Sequence, residues 1–113
     1  MDGVAEWFER WDALAKTGDV EQMADMAMFP INAVTDGAAT TWDREQFLRD
    51  MGAQVGGDLQ MESVRTPHFV NENLVFVITE GTINGMPVRY GDLLVRVKGE
   101  WKFQTMVQGG WGE

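Results

Sequence analysis

The sequence predicts an α+β domain in which helices from the first half pack on one face of a sheet from the second. Three observations carry this. Val4, Trp7, Phe8, Trp11 and Leu14 fall on a single helical stripe between residues 3 and 16. From Leu59 onward the pattern is all strand, about 59 to 70, 74 to 83, 86 to 98 and 101 to 108. Between the second and third of those runs, Ile83-Asn84-Gly85-Met86 supplies the two positive-φ positions of a type I′ hairpin.

Taken in order, the first helix ends at Gly18, which adopts the left-handed conformation that other residues resist. Asp19-Val20-Glu21-Gln22 then forms an N-cap with a capping-box Gln, opening a second helix that buries Val20, Met23, Ala24 and Ala27. Pro30 limits that helix, because the residue before a proline avoids helical geometry. Ile31 to Asp36 reads as a short strand broken by Gly37. Thr40 and Thr41 are both acceptable N-caps for a third helix with Phe47, Leu48, Met51 and Val55 on its buried face, stopped by Gly56-Gly57.

If Asn84 and Gly85 form the turn, Ile83 faces Met86, Gly81 faces Val88, Thr79 faces Tyr90 and Val77 faces Asp92. That register sorts the strands into two faces. One carries Val75, Val77, Thr79, Gly81, Val88, Tyr90, Asp92, Leu94 and Arg96. The other carries Phe76, Ile78, Glu80, Arg89, Leu93, Val95 and Val97. A half-exposed sheet reads apolar on one side only, so helices are expected over one face and a partner over the other. The last strand admits two registers, because a bulge near Gly99 exchanges Trp101, Phe103 and Thr105 for Lys102, Gln104 and Met106.

All 113 residues fit one domain, and no run approaches the ~18 apolar residues of a membrane span. The start, Met1 to Glu6, lacks the basic and apolar segments of a secretory signal, so a cytoplasmic protein is expected. The absence of cysteine excludes disulfides and thiolate chemistry, and a single histidine argues against a histidine metal centre. A net charge of -9 opposes nucleic acid and anionic membranes. Five Trp and eight Met furnish either a filled core or the wall of an apolar pocket.

Gly18-Asp19 between two helices, the Pro30 breaker, Asp36 ending a strand, the Asn84-Gly85 hairpin and Gln104-Thr105-Met106 on the last strand together resemble the nuclear transport factor 2-like superfamily. Within it they are most similar to the ketosteroid isomerase-like and SnoaL-like proteins. The resemblance covers nearly the whole chain and implies a cystatin-like cone, three N-terminal helices on a curved, mixed and mostly antiparallel sheet. It also implies an aspartate base at Asp36 and a last strand beside the cavity. The isomerases' oxyanion-holding tyrosine falls on Trp11 and their second acid on Leu94, so both of those donors are replaced. Ketosteroid isomerase is a standard case of a carboxylic acid kept neutral by an apolar site.

Asp36 is therefore the first candidate for a catalytic carboxylate, with apolar walls to raise its pKa; Asp36-Gly37 is equally an ordinary turn opening. Asp92 is the second, since a carboxylate on an apolar face is costly without a partner, and Tyr90 lies two residues away. A bulge at Gly91-Asp92 is the alternative, turning Asp92 outward. Trp11, Val77, Thr79, Tyr90, Leu94, Met106 and Trp111 are the expected ligand-binding residues, and Trp42 is a further candidate for pocket wall. His68 reads as a surface residue, and Glu80 and Arg89 as a cross-strand pair.

Two readings of function follow. In one, an apolar pocket binds a small hydrophobic carbonyl compound, on which an aspartate base performs isomerase or lyase chemistry with neither metal nor organic cofactor. In the other, the chain is a non-catalytic ligand-binding or protein-interaction module. Either way a homodimer through the outer sheet face is expected.

Overall fold

The computed structural model describes residues 3–53, 55 and 60–109. Helix α1 spans Val4–Thr17 and α2 Val20–Ala24; strands β1 (Ala27–Thr35) and β2 (Ala38–Trp42) follow, then helix α3 (Arg44–Gly52) and strands β3 (Met61–Asn71), β4 (Leu74–Ile83), β5 (Met86–Val97) and β6 (Glu100–Gln108). The six strands form one mixed sheet in the order β2-β1-β6-β5-β4-β3, antiparallel throughout except where β1 runs parallel to β6.

The helix boundaries follow from local chemistry. Gly18, at φ 75°, closes α1, and the Asp19 amide donates to the Leu14 carbonyl across the turn (3.0 Å). Asp19 caps α2 by accepting from the Gln22 amide at 3.2 Å, while the Gln22 side chain returns a bond of 2.6 Å to the same carboxylate. Helix α2 is shorter than expected. Ala27 opens β1 instead of closing the helix, and Pro30 lies inside that strand. Proline has no amide hydrogen for the ladder, and the β1–β6 register skips between Ala27 and Asn32, around this residue. The side-chain amide of Gln104 donates to the Pro30 carbonyl at 3.2 Å.

Strand β2 corrects the sequence reading. Thr40 and Thr41 do not cap a helix; they pair with Ala33 and Asn32 across a two-residue Asp36-Gly37 hairpin, with Gly37 at φ 74°. The cap of α3 is Asp43, whose carboxylate accepts from the Gln46 amide at 2.8 Å. Asp43→Ala is expected to lower stability by about 1 kcal/mol in urea titration, with an unchanged denaturant slope.

The β4–β5 register is the expected one, Ile83 opposite Met86, Gly81 opposite Val88, Thr79 opposite Tyr90 and Val77 opposite Asp92, with Asn84 and Gly85 both at positive φ. Glu80 and Arg89 are opposite each other and 3.2 Å apart on the exposed surface. Strand β6 combines the two registers foreseen for it. Leu93 pairs with Thr105 and Leu94 with Phe103, which leaves Gln104 as an extra residue in a bulge. Trp101, Phe103 and Met106 are consequently all buried.

The core lies between the helices and one sheet face. Val75, Val77, Thr79, Leu94, Ile31 and Ala33 are fully buried there, under Phe47 of α3 and Trp7 and Phe8 of α1. On the reverse face Phe76, Ile78, Leu93 and Val95 are only half-buried, and Val64 and Val107 are exposed. Among the described residues no helix is long and apolar enough to cross a membrane.

Candidate functional site

A cavity of about 650 Å³ opens between α1 and the β3–β4 side of the sheet. Val4, Phe8, Pro67, Phe69 and Val77 give it apolar walls; Glu9, Asp12, Ser63 and Arg65 are its polar lining. The size and composition suit a small organic molecule held by a few oriented polar groups.

Register explains how the polar groups converge. Arg65, Thr79 and Tyr90 are direct cross-strand neighbours on β3, β4 and β5, and Pro67, Val77 and Asp92 form the adjacent row. Arg65 reaches along its own row: its Nε donates to Thr79 Oγ1 at 3.1 Å and its Nη2 to the Tyr90 hydroxyl at 3.3 Å. From above, Asp12 on α1 receives both prongs of the guanidinium, Nη1 to Oδ2 at 2.6 Å and Nη2 to Oδ1 at 3.1 Å. The Phe8 ring covers the cation, its centroid 4.2 Å from Cζ. Among the described residues this is the most enclosed ion pair, the arginine side chain being 14% exposed. Burial opposes the Arg65 charge, but the Asp12 bond and the nearby Tyr90 and Asp12 outweigh it, so its pKa is raised and it stays cationic.

Asp92 is partly buried beside this network, one strand beyond the cavity wall at Val77. Loss of water around its carboxyl pushes its pKa up to about 7; Arg65 pulls it down and Asp12 pushes it up. Among the described residues no side-chain hydrogen bond reaches the Asp92 carboxyl. Burial likewise raises the Tyr90 pKa, with Arg65 opposing and Asp92 reinforcing that rise.

Of the residues expected at the site, Val77 lines the cavity. Thr79 and Tyr90 belong to the polar row bonded to Arg65, and Asp92 shares the sheet face of Val77 without the outward-turning bulge, all three behind the lining residues. Others are packing. Leu94 and Met106 are core residues, and Trp11 stacks on Trp7 (centroids 5.2 Å) with its edge against Phe103 (5.3 Å). Trp42 is buried in the core at the end of β2. Trp111 lies outside the described residues. Asp36 departs from expectation: its side chain is exposed in the β1–β2 turn, near Gly109, and it does not line the cavity. The two-residue hairpin holds it beyond the last pair of the β1–β2 ladder, Thr35 and Ala38. His68 is exposed, as expected.

The sequence reading passed over Arg65 and Asp12. The signal available was a lone arginine on the side of β3 that also carries Pro67 and Phe69, but its register was not set by any turn motif. Among the described residues no group of three or more His, Cys, Asp or Glu side chains is placed to hold a metal ion.

No family model and no curated protein matches the chain by sequence. Solved structures do match in fold. An NTF-2 like protein of unknown function from Silicibacter pomeroyi superposes with a TM-score of 0.70 at 14% identity, over 93% of this chain and 90% of that one. A protein of unknown function with a cystatin-like fold from Nostoc punctiforme gives 0.74 at 11% identity, over 97% and 90%. The fold is NTF2-like. A candidate scytalone dehydratase from Novosphingobium aromaticivorans also shares this NTF2-like fold, with a TM-score of 0.71 at 14% identity over 93% of this chain and 79% of that one. At such identities the NTF2-like likeness is one of architecture, and function has to be argued from the site.

Proposed function

We propose that this NTF2-like domain binds a small hydrophobic carbonyl compound in the hollow between α1 and the sheet, and that Asp92 transfers a proton on it. The supporting observation is a partly buried carboxyl, unpaired among the described residues, whose pKa of about 7 lets it accept and return a proton near neutrality. Taking a proton from the carbon beside the carbonyl sends the C–H electrons into an enolate. The Tyr90 hydroxyl is the donor for the enolate oxygen. Return of the proton to a different carbon completes an isomerisation; departure of a β-hydroxyl that takes the proton from Asp92 and leaves as water completes an elimination. A fold neighbour's description as a candidate dehydratase is in keeping with the second outcome.

The test is turnover of a panel of activated ketones and enones by the parent protein and by Asp92→Asn. Loss of turnover in the variant is the expected result; equal rates would remove Asp92 from the mechanism.

The apolar outer face favours a second reading, in which the domain also associates. Phe76, Ile78, Leu93 and Val95 are half-buried there, and Val64 and Val107 are exposed. A dimer through this face is expected in sedimentation at micromolar concentration, and a monomer alone would count against it.

A further inference from the structure

We propose that Arg65 is the positioning residue of this site, which commits the Tyr90 hydroxyl to donating and so selects ligands that present a hydrogen-bond acceptor. The inference rests on the proposed ligand site but not on turnover. A guanidinium carries five N–H donors and no acceptor. The 3.3 Å bond between Arg65 Nη2 and Tyr90 can therefore run in one direction only, with the tyrosine oxygen accepting. The phenolic hydrogen has to point elsewhere, and among the described residues it meets no acceptor.

Arg65 is well held for this role. Thr79 receives its Nε–H and Asp12 receives both terminal nitrogens, so the guanidinium is tethered from the sheet and from α1 at once. The Phe8 ring closes the remaining side. The charged and titratable groups around Tyr90 are Arg65 on β3, Asp12 on α1 and Asp92 on β5. The cation also favours negative charge on the phenol or on an oxygen bonded to it. An enolate oxygen satisfies both demands and a carbonyl oxygen the first; an ammonium group or a hydrocarbon satisfies neither.

Tyr90 is the sequence's one tyrosine, so the near-ultraviolet absorbance of phenolate titrates this group alone. Arg65→Gln removes the cation and introduces a carbonyl that can take the hydroxyl proton. The Tyr90 midpoint is expected to rise by about one unit, and the preference for acetophenone over ethylbenzene to fall about tenfold in binding titrations. Arg65→Lys keeps a donor-only cation and is expected to restore both toward parental values. If the Gln variant does not fold by circular dichroism, Arg65→Met is read in its place, with the same rise in midpoint. An unchanged midpoint and an unchanged preference in the Gln or Met variant would overturn the proposal, as would a Lys variant no better than Gln. These measurements need no catalysis, so an inert parent with a shifted preference would refute the acid–base reading and leave this one standing.

Discussion

Asp92→Asn is expected to make the protein inert and, above neutral pH, more stable. The first effect follows from removing the one group proposed to carry the proton, a loss of about 10²- to 10⁴-fold in kcat where a general base is replaced. The parent's kcat/KM should rise with pH through an inflection near 7, where the carboxyl gives up its proton in the free protein.

The second effect follows from linkage. In the unfolded chain an aspartate titrates near pH 3.8, whereas in the folded protein Asp92 holds its proton to about 7. Below about pH 4 both states are protonated and the group contributes no difference. Between 4 and 7 the folded state binds more protons than the unfolded one, so stability falls as pH rises. Above 7 the cost of a desolvated carboxylate is fully present, roughly 4 kcal/mol by the free energy of one pKa unit. Asparagine carries no charge and removes that slope. Urea midpoints of parent and variant, compared at pH 4.5 and at pH 8, isolate this contribution from the other carboxylates. A gap that does not widen with pH would show that Asp92 is solvated and unsuited to acid–base work.

Gly81→Ala is the substitution expected to damage the fold most directly. A Cβ at residue 81 would overlap the Glu62 carbonyl oxygen and stand 2.6 Å from Ser63 Cα, both backbone atoms of the neighbouring strand. Backbone cannot swing aside as a side chain can, so β3 would have to lift away from β4. A loss of about 3 kcal/mol or more is expected in urea unfolding, at the upper end of overpacking costs. The cavity should suffer with it, since Met61, Ser63 and Arg65 reach it from the same strand. Gly91→Ala is the informative contrast. There the obstruction is the Phe76 ring, whose Cζ a new Cβ would overlap, and a half-buried aromatic side chain can turn where a backbone cannot. A Gly81 variant no less stable than the Gly91 variant would mean that the two strands are not in close apposition at this point.

How far the sequence could be read depended on whether each feature was local. The β4–β5 register was legible because Asn84-Gly85 sets it, and with it came the placement of Val77, Thr79, Tyr90 and Asp92 on one face. The first helix and the Gly18-Asp19 junction were equally local. Strand β2 was missed because threonine serves a helix cap and a strand alike, and only pairing with β1 decides between them. Arg65 was beyond reach for a different reason: its partner Asp12 lies 53 residues away on a helix, and no periodicity connects the two. The same holds for the exposure of Asp36, which depends on where the β1–β2 hairpin projects from the finished sheet.

The position of β6 has a consequence for how the molecule is made. It is the last of the described strands, yet it sits in the middle of the sheet, bonded to β1 on one side and β5 on the other. A nascent chain leaving the ribosome thus holds a hairpin and a three-stranded meander with no ladder between them. Their greasy inner surfaces stay open to misassociation until the keystone strand arrives. Closing that gap demands contact between segments far apart along the chain, and such non-local pairing slows folding.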